Sequence, residues 1–538
     1  MRQDIRFAFR MISSHRWFSA AIVVTLGLGI GLNTMVFTLV NAALFKPVPL
    51  PNGERLVAIT SQDLSQNNQQ MGVSYPDFRD YQAQASSFQA LEAAARESAV
   101  LSERGNPPQP YSMGRVSSGM FEMLQMRPIL GRGFLPGDDK PGAEAVLLLG
   151  HTVWKDRYGS SGEVVGRQVR VNEKPATIIG VMPEGFKFPH EEDLWMPLPP
   201  TTELEDRRHR PLELFGILKP GESIDRASAD LGAIAHRLAE DHPESNKDTG
   251  ALVQTFHERY NGGNIKRVFL LMLIAVGFVL LTACANVANM MLSRTLARRR
   301  EMSIRAALGA SSWQLIRQLL IESVALSALG GVLGLGLCEV GIRWFDSVTQ
   351  NVGKPYWVQF TMDYRVFAYF AVLCLFSVLL FGLAPALRSS RQDMNDALKD
   401  GVRSIGTRRG GRLSGMLVIG QFALTLVLLT GAGIFVRGFL ESLSVNKAVP
   451  ASELLTAAVR LPKGRYPSPD ARQHFFDQLL PTLARIPGAT HAAIVSNPPA
   501  TWAPGRHIEI EGGPMIDPAH RPSASFLVQS PGYFAAIN

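Results

Sequence analysis

The side chains with the most obvious chemical potential in this 538-residue chain are His190, Glu191, Glu192 and Asp193, consecutive in the run FPHEED. An imidazole and three carboxylates are metal-ligand types. Here they are adjacent and follow a proline, so the run reads as a loop and not as a ligand set. No H-E-x-x-H and no G-x-S-x-G is present, which leaves no zinc-protease or serine-hydrolase signature. No G-x-x-x-x-G-K-[ST] occurs either, so the chain does not bind ATP in the P-loop manner. The run GLGIG, Gly27 to Gly31, has the glycine spacing of a nucleotide loop but lies inside an apolar stretch. Glycines four apart in such a stretch let two membrane helices approach closely, and Gly330 with Gly334 carries the same spacing. The chain is expected to be no enzyme, with no catalytic residue and no bound cofactor or metal.

One segment remains that can act on something else. Residues 294–318 begin RTLARRREMSIRAALGAS and are rich in arginine. Ala297, Glu301, Ile304 and Leu308 share one helical stripe, and Glu301 with Arg305 forms an i,i+4 pair in the favourable order. Gly309 suits a helix C-terminus, and Ser311 or Ser312 can cap the helix that follows. Such a helix is either gripped by a protein partner or rests on anionic lipid; periodicity leaves both open.

The elements that position this segment are apolar. Five stretches contain few or no charges, and a helix of about 20 residues crosses the hydrocarbon. The chain divides into a cytoplasmic N-terminus (1–16), span 1 (17–45), an outside domain (46–264), span 2 (265–293), the basic segment (294–318), span 3 (319–344), a short outside loop (345–365), span 4 (366–387), a basic linker (388–412), span 5 (413–437) and a second outside region (438–538). The apolar run within span 3, Ser323–Cys338, is flanked by Glu322 and Glu339, which must sit near the interface or face protein. Arginine and lysine concentrate before span 1, between spans 2 and 3, and after span 4, which places the N-terminus and both basic loops in the cytoplasm. The net charge of +8 therefore reflects topology, and no nucleic-acid partner is expected. All three cysteines lie in apolar spans, so the outside domain has no disulfide framework.

Residues 46–264 read as a mixed α+β domain. Ser74 or Asp77 caps a helix in Ser74–Glu97, with Phe78, Tyr81 and Phe88 on its apolar side, and short β-rich runs start at Ala145. Val116–Leu124 returns as Val528–Ile537: Ser117 matches Ser530, Gly119 matches Gly532 and Phe121 matches Phe534, each copy following a span. The order of span and outside domain thus begins a second time, and the second outside domain is expected to be incomplete, the chain being an N-terminal fragment.

REMSIRAALGAS resembles the signature after the second span of the FtsX/MacB superfamily of ABC transporter permeases, with Met302 and Ser303 where isoleucine and glycine are common. The first-span region and the runs SYPDF, GRGF, GRQVRVNEKPATIIGVMPEGFKFP, DLWMPL, ACANVANMMLSR, LPKGRYP and SPGYF are similar to the duplicated MacB-like permeases typical of acidobacteria. The resemblance implies a membrane helical bundle with a MacB-like extracytoplasmic domain, in the bacterial inner membrane. It implies that a separate cytoplasmic ABC ATPase uses ATP and grips Arg298, Glu301, Arg305, Gly309 and Ala310. Membrane lipid and a periplasmic adaptor or second permease unit are the further expected partners. Efflux or export is the leading expectation; the alternative is an FtsX-like regulator of an envelope hydrolase. A membrane-anchored enzyme, the third class, would need a catalytic cluster that the sequence does not offer.

Overall fold

The computed structural model describes residues 10, 14–65, 69–297, 312–349, 354–383, 408–446, 454–459, 461, 465–498, 505–508, 511 and 523–537. Among them are five helices long and apolar enough to cross a membrane: Arg16–Phe45, Ile265–Arg294, Ile316–Thr349, Tyr364–Gly382 and Val418–Glu441, spans 1 to 5. The chain forms two units. The first holds Met1–Lys46, Tyr260–Lys354 and Val358–Arg437; the second holds Pro47–Arg259, Pro355–Trp357 and Gly438–Asn538.

In the first unit, helix is the only answer for a stretch such as Trp17–Phe45. A lipid-facing backbone must satisfy its own hydrogen bonds. Spans 1 to 4 share an apolar core of Ile22, Leu26, Ile30, Leu280, Cys284, Val287, Leu326, Leu373 and Phe381. Asp363 starts span 4 by accepting hydrogen bonds from the amides of Arg365 and Val366, which satisfies two of the donors a helix start leaves open. Described side chains along span 5, such as Met416, Phe422 and Phe435, are largely exposed.

The second unit is built on one mixed sheet in the order β11 (Thr249–Thr255), β1 (Leu56–Asp63), β10 (Glu213–Leu218), β3 (Phe88–Glu103), β4 (Asn106–Val116), β9 (Leu194–Pro197), β6 (Val146–Leu149), β8 (Lys174–Val181) and β5 (Leu130–Gly131). β2 (Gln69–Met71) pairs with β1, and β7 (Gln168–Val171) bridges β3 and β8. Two cores result. One packs Ile59, Leu91, Ala93, Leu214 and Leu218 under helices α1 (Tyr75–Gln84) and α4 (Ile224–Asp241), which contribute Phe78, Tyr81, Leu231 and Leu238. The other gathers Leu101, Met113, Leu147, Leu149, Ile178 and Leu194 under Val153 and Tyr158 of α3 (His151–Tyr158), α2 (Met120–Met123) lying between α1 and α3 in sequence.

The structure corrects the helix expected through Glu97. Ser74 does cap α1, its hydroxyl accepting from the Asp77 amide at 3.2 Å, but the helix stops at Gln84. Asp230 of α4 then takes the amides of Ser86 and Ser87, both at 2.8 Å, and turns the chain. Phe88 enters strand β3, where LEAAARE pairs with β10 on one side and β4 on the other. Two neighbouring strands override the helix propensity of that alanine-rich run.

The internal repeat has a physical counterpart. In the first copy Ser117 N bonds Ala93 O at 3.0 Å and Ala93 N bonds Ser117 Oγ at 2.9 Å. In the second copy Ser530 N bonds Ile494 O at 2.8 Å and Ile494 N bonds Ser530 Oγ at 2.9 Å. A short helix follows each serine, α2 in the first and α7 (Tyr533–Ile537) in the second. Ser468 caps α6 (Pro469–Leu483) as Ser74 caps α1, its hydroxyl accepting from Ala471 N at 3.2 Å.

Candidate coupling site

Spans 1 and 3 meet at the four glycines. A methyl group built on Gly31 would stand 2.8 Å from the carbonyl oxygen of Gly334 and 3.1 Å from its Cα. One on Gly334 would meet Gly27 O and Gly31 N at 3.0 Å, and one on Gly330 would meet Leu26 Cβ at 2.8 Å. The two backbones are therefore in direct contact, with no room for a side chain between them. Gly29 serves the neighbouring face, where a methyl would lie 3.2 Å from Ala283 Cβ of span 2.

One interhelical polar bond in the middle of the bundle comes from a residue that glycine spacing does not single out. Asn33, in the middle of span 1, donates to Val276 O of span 2 at 2.7 Å. The signal is an amide four residues beyond Gly29 in an uncharged run that holds one other amide, Asn41. Thr282 of span 2 donates to Phe278 O within its own helix.

Below this crossing lies a buried ion pair. Arg294 Nη1 of span 2 stands 2.8 Å from Glu322 Oε1 of span 3, with side chains 11% and 3% exposed. The Arg294 guanidinium also lies 4.8 Å from the ring centre of Phe18 in span 1, a cation–π arrangement. Glu322 thus faces protein. Removing one member of such a pair strands a charge in low dielectric, which costs about 3–5 kcal/mol. Arg294 and Glu322 flank residues 298–311. Arg298, Glu301, Arg305, Gly309 and Ala310 lie outside the described residues.

At the other end of spans 1 and 4, Asn41 Nδ2 donates to Asp363 Oδ2 at 2.8 Å, and Phe37 stacks on Tyr369 with ring centres 4.0 Å apart. Arg365 donates to the Phe45 carbonyl and Lys46 to the Thr361 hydroxyl. The first unit therefore has polar fixed points near both ends of its helices.

In the second unit the four residues of HEED diverge. His190 faces Glu213 at 3.4 Å, Glu191 accepts from the Tyr356 amide at 2.8 Å, Glu192 accepts from Ser112 Oγ, and Asp193 accepts from the Ser112 amide. No metal-holding group of three ligand-type residues occurs among the described residues. Burial pushes the His190 imidazole below its ordinary value, and burial raises the Glu192 carboxyl above its own. Glu92, half-buried beside the Ser117 hydroxyl that bonds it, is pushed up to about 7, desolvation outweighing that bond. Fully buried Asp77 holds Arg207 at 2.6 Å, Arg210 at 2.7 Å and the Asn246 amide at 3.0 Å.

Pro355–Trp357 also belongs to the second unit, although its sequence neighbours on both sides belong to the first. Trp357 packs edge-on to Phe256 with ring centres 5.0 Å apart, and Phe256 contacts Phe188 and Phe215. The chain leaves span 3, contributes three residues to the outer core and returns to span 4. In the sequence this loop carried no more than a short apolar YW pair.

Two family models match. Residues 19–234 match the MacB-like periplasmic core domain, and residues 273–394 match the FtsX-like permease C-terminal model. The chain belongs to the FtsX/MacB superfamily of ABC transporter permeases. Similar curated proteins include a macrolide export ATP-binding/permease protein MacB of Wolinella succinogenes, 30% identical over 55% of this chain and 44% of that protein. A Salmonella typhi protein of the same description is 25% identical over 73% of this chain and 61% of its own. The permease spans about half the length of the curated relatives it matches. Among solved structures, the periplasmic region of MacB from Actinobacillus actinomycetemcomitans matches 38% of this chain at 15% identity and a TM-score of 0.29. The permease is a membrane protein: membrane-spanning helices carry a MacB-like periplasmic domain.

Proposed function

We propose that this permease couples ATP hydrolysis by a separate cytoplasmic ABC ATPase to movement of its extracytoplasmic domain, in the service of export. The observation that carries the reading is the placement of residues 298–310 within the FtsX-like match and between the two halves of the buried Arg294–Glu322 pair. A push on that segment reaches spans 2 and 3 through the ion pair and span 1 through Phe18. From span 1 it reaches span 3 again at the glycine crossing. Arg298, Glu301, Arg305, Gly309 and Ala310 are the residues proposed to meet the ATPase. ATP is consumed by that partner, and this chain binds no cofactor and performs no catalysis. The distribution of positive charge supports an inner-membrane protein with a cytoplasmic N-terminus. Relatives described as macrolide export ATP-binding/permease proteins support export over regulation of an envelope hydrolase.

The test is the double reversal Glu301→Arg with Arg305→Glu, which preserves an i,i+4 pair while inverting the pattern a partner reads. In vesicles holding the permease and its ATPase, the variant is expected to lose permease-stimulated ATP hydrolysis. Unchanged stimulation and unchanged association would remove these residues from the coupling role.

A further inference from the structure

We propose that the second unit carries a binding site for a small organic carboxylate, in the cleft between Arg96, His190 and Arg259. The site follows from strand register. Ile59 pairs with Leu214 in the helix-covered core, so the next residue, Thr60, lies beside Glu213 on the opposite face. Glu213 pairs with Ala94, and Arg96 lies two residues further along the same face of β3. These residues, His190 from the loop before β9 and Arg259 from α5 (Phe256–Asn261) line a cavity of about 300 Å³. That is at the small end of ordinary ligand pockets.

Charge and hydrogen bonding identify the occupant. Arg259 is held by Glu213 at 2.6 Å and by Gln70 at 3.1 Å, so its charge is balanced and its position fixed. Arg96 is different. Its side chain is 57% exposed, and its Nε lies 3.7 Å from Glu192, beyond hydrogen-bonding distance. A guanidinium offers five N–H donors in a planar fork, suited to a bidentate carboxylate. Glu192, fully buried, gives its Oε2 to Ser112 and turns its Oε1 toward Arg96 without a hydrogen bond of its own, so of this wide ion pair only the cation reaches solvent.

The second sign is Thr60, which is 3% exposed and whose Oγ1 has no hydrogen-bond partner. A buried hydroxyl left unsatisfied costs about 1–3 kcal/mol, and here it borders a cavity that a ligand oxygen can enter. Burial favours a neutral His190, so the ring adds a hydrogen-bonding group without a second charge. Met71, Ala94, Pro189 and Leu212 supply apolar walls. The match is a single negative head on a short apolar body. This site is independent of the coupling reading: it stands or falls on the outer domain alone.

The test is calorimetric titration of the full chain in lipid nanodiscs with hexanoate, acetate and inorganic phosphate. Hexanoate is expected to bind saturably and more tightly than acetate or phosphate. Arg96→Gln is expected to weaken it about tenfold or more, the loss of a charge-assisted hydrogen bond, and Arg96→Lys to recover part of the loss. Thr60→Val, the same shape without the hydroxyl, is expected to weaken binding several-fold while leaving the circular dichroism unchanged. Absence of saturable hexanoate binding at millimolar concentration, or equal binding by wild type and Arg96→Gln, would overturn the site. Phosphate binding more tightly than hexanoate would overturn the carboxylate assignment.

Discussion

Replacing Glu92 by glutamine is expected to remove a pH dependence from the outer domain. The wild-type carboxyl is half-buried on β3, bonded by the Ser117 hydroxyl and pressed against Gly119, where an added methyl would fall 2.3 Å from Glu92 Oε1. Desolvation is the main cause that pushes it from the ordinary 4.5 up to about 7. The folded state therefore holds the proton more tightly than the unfolded chain. Stability is greatest below about 4.5 and falls as the pH rises to about 7, after which it is level. At about 1.4 kcal/mol for each pH unit between those values, the fall is about 3 kcal/mol. Amide hydrogen exchange of β3 and β4 in the full chain reads the opening free energy. Wild-type protection, corrected for intrinsic exchange, should drop on the order of a hundredfold from pH 4.5 to 7.5, while Glu92→Gln should show a clearly smaller fall. The second copy supplies an internal control, because Ala493 precedes Ile494 where Glu92 precedes Ala93. Wild-type protection that rises or stays flat with pH, or an equal fall in Glu92→Gln, would refute the assignment.

Three further outcomes follow from the packing. Gly31→Val should force spans 1 and 3 apart at the Gly334 backbone, lowering the melting temperature of the purified protein by the equivalent of about 1–3 kcal/mol, whereas Gly336→Ala, which meets nothing within 4 Å, should not. Asp77→Ala should destabilise the outer domain by about 3–5 kcal/mol, since Arg207 and Arg210 both lose a partner; limited proteolysis of that domain gives the comparison. Glu322→Gln should take the carboxylate out of the buried pair with Arg294 and lower thermal stability, with Arg294→Gln plus Glu322→Gln recovering part of the loss.

How much was readable in advance depended on the kind of force involved. Lipid solvation acts residue by residue, so the uncharged runs announced the membrane helices without any tertiary information. The glycine spacings marked small-residue faces, but only the folded bundle pairs Gly31 with Gly334. Phe88 reads as part of the apolar side of a helix begun at Ser74; its strand identity comes from pairing with Leu218 of β10, which lies far away in sequence. Asn33 was hidden by the apolar residues around it, and its bond to Val276 O depends on helix approach. The Ser117–Ser530 correspondence was legible because the same local bond geometry demands the same residue types twice. The charged cleft around Thr60 was not, since its residues come from β1, β3, β10, a loop and a helix.

The central claim, that an ATPase acts on this permease through residues 298–310, is tested most directly by placing a photo-activated crosslinking residue at Met302 in native membranes and identifying the adduct by mass spectrometry. The account predicts an adduct to an ATP-binding subunit that carries a P-loop, lost in the Glu301→Arg, Arg305→Glu background. Adducts to lipid alone, with no ATP-binding protein captured, would contradict it and leave the basic segment as a membrane-surface helix.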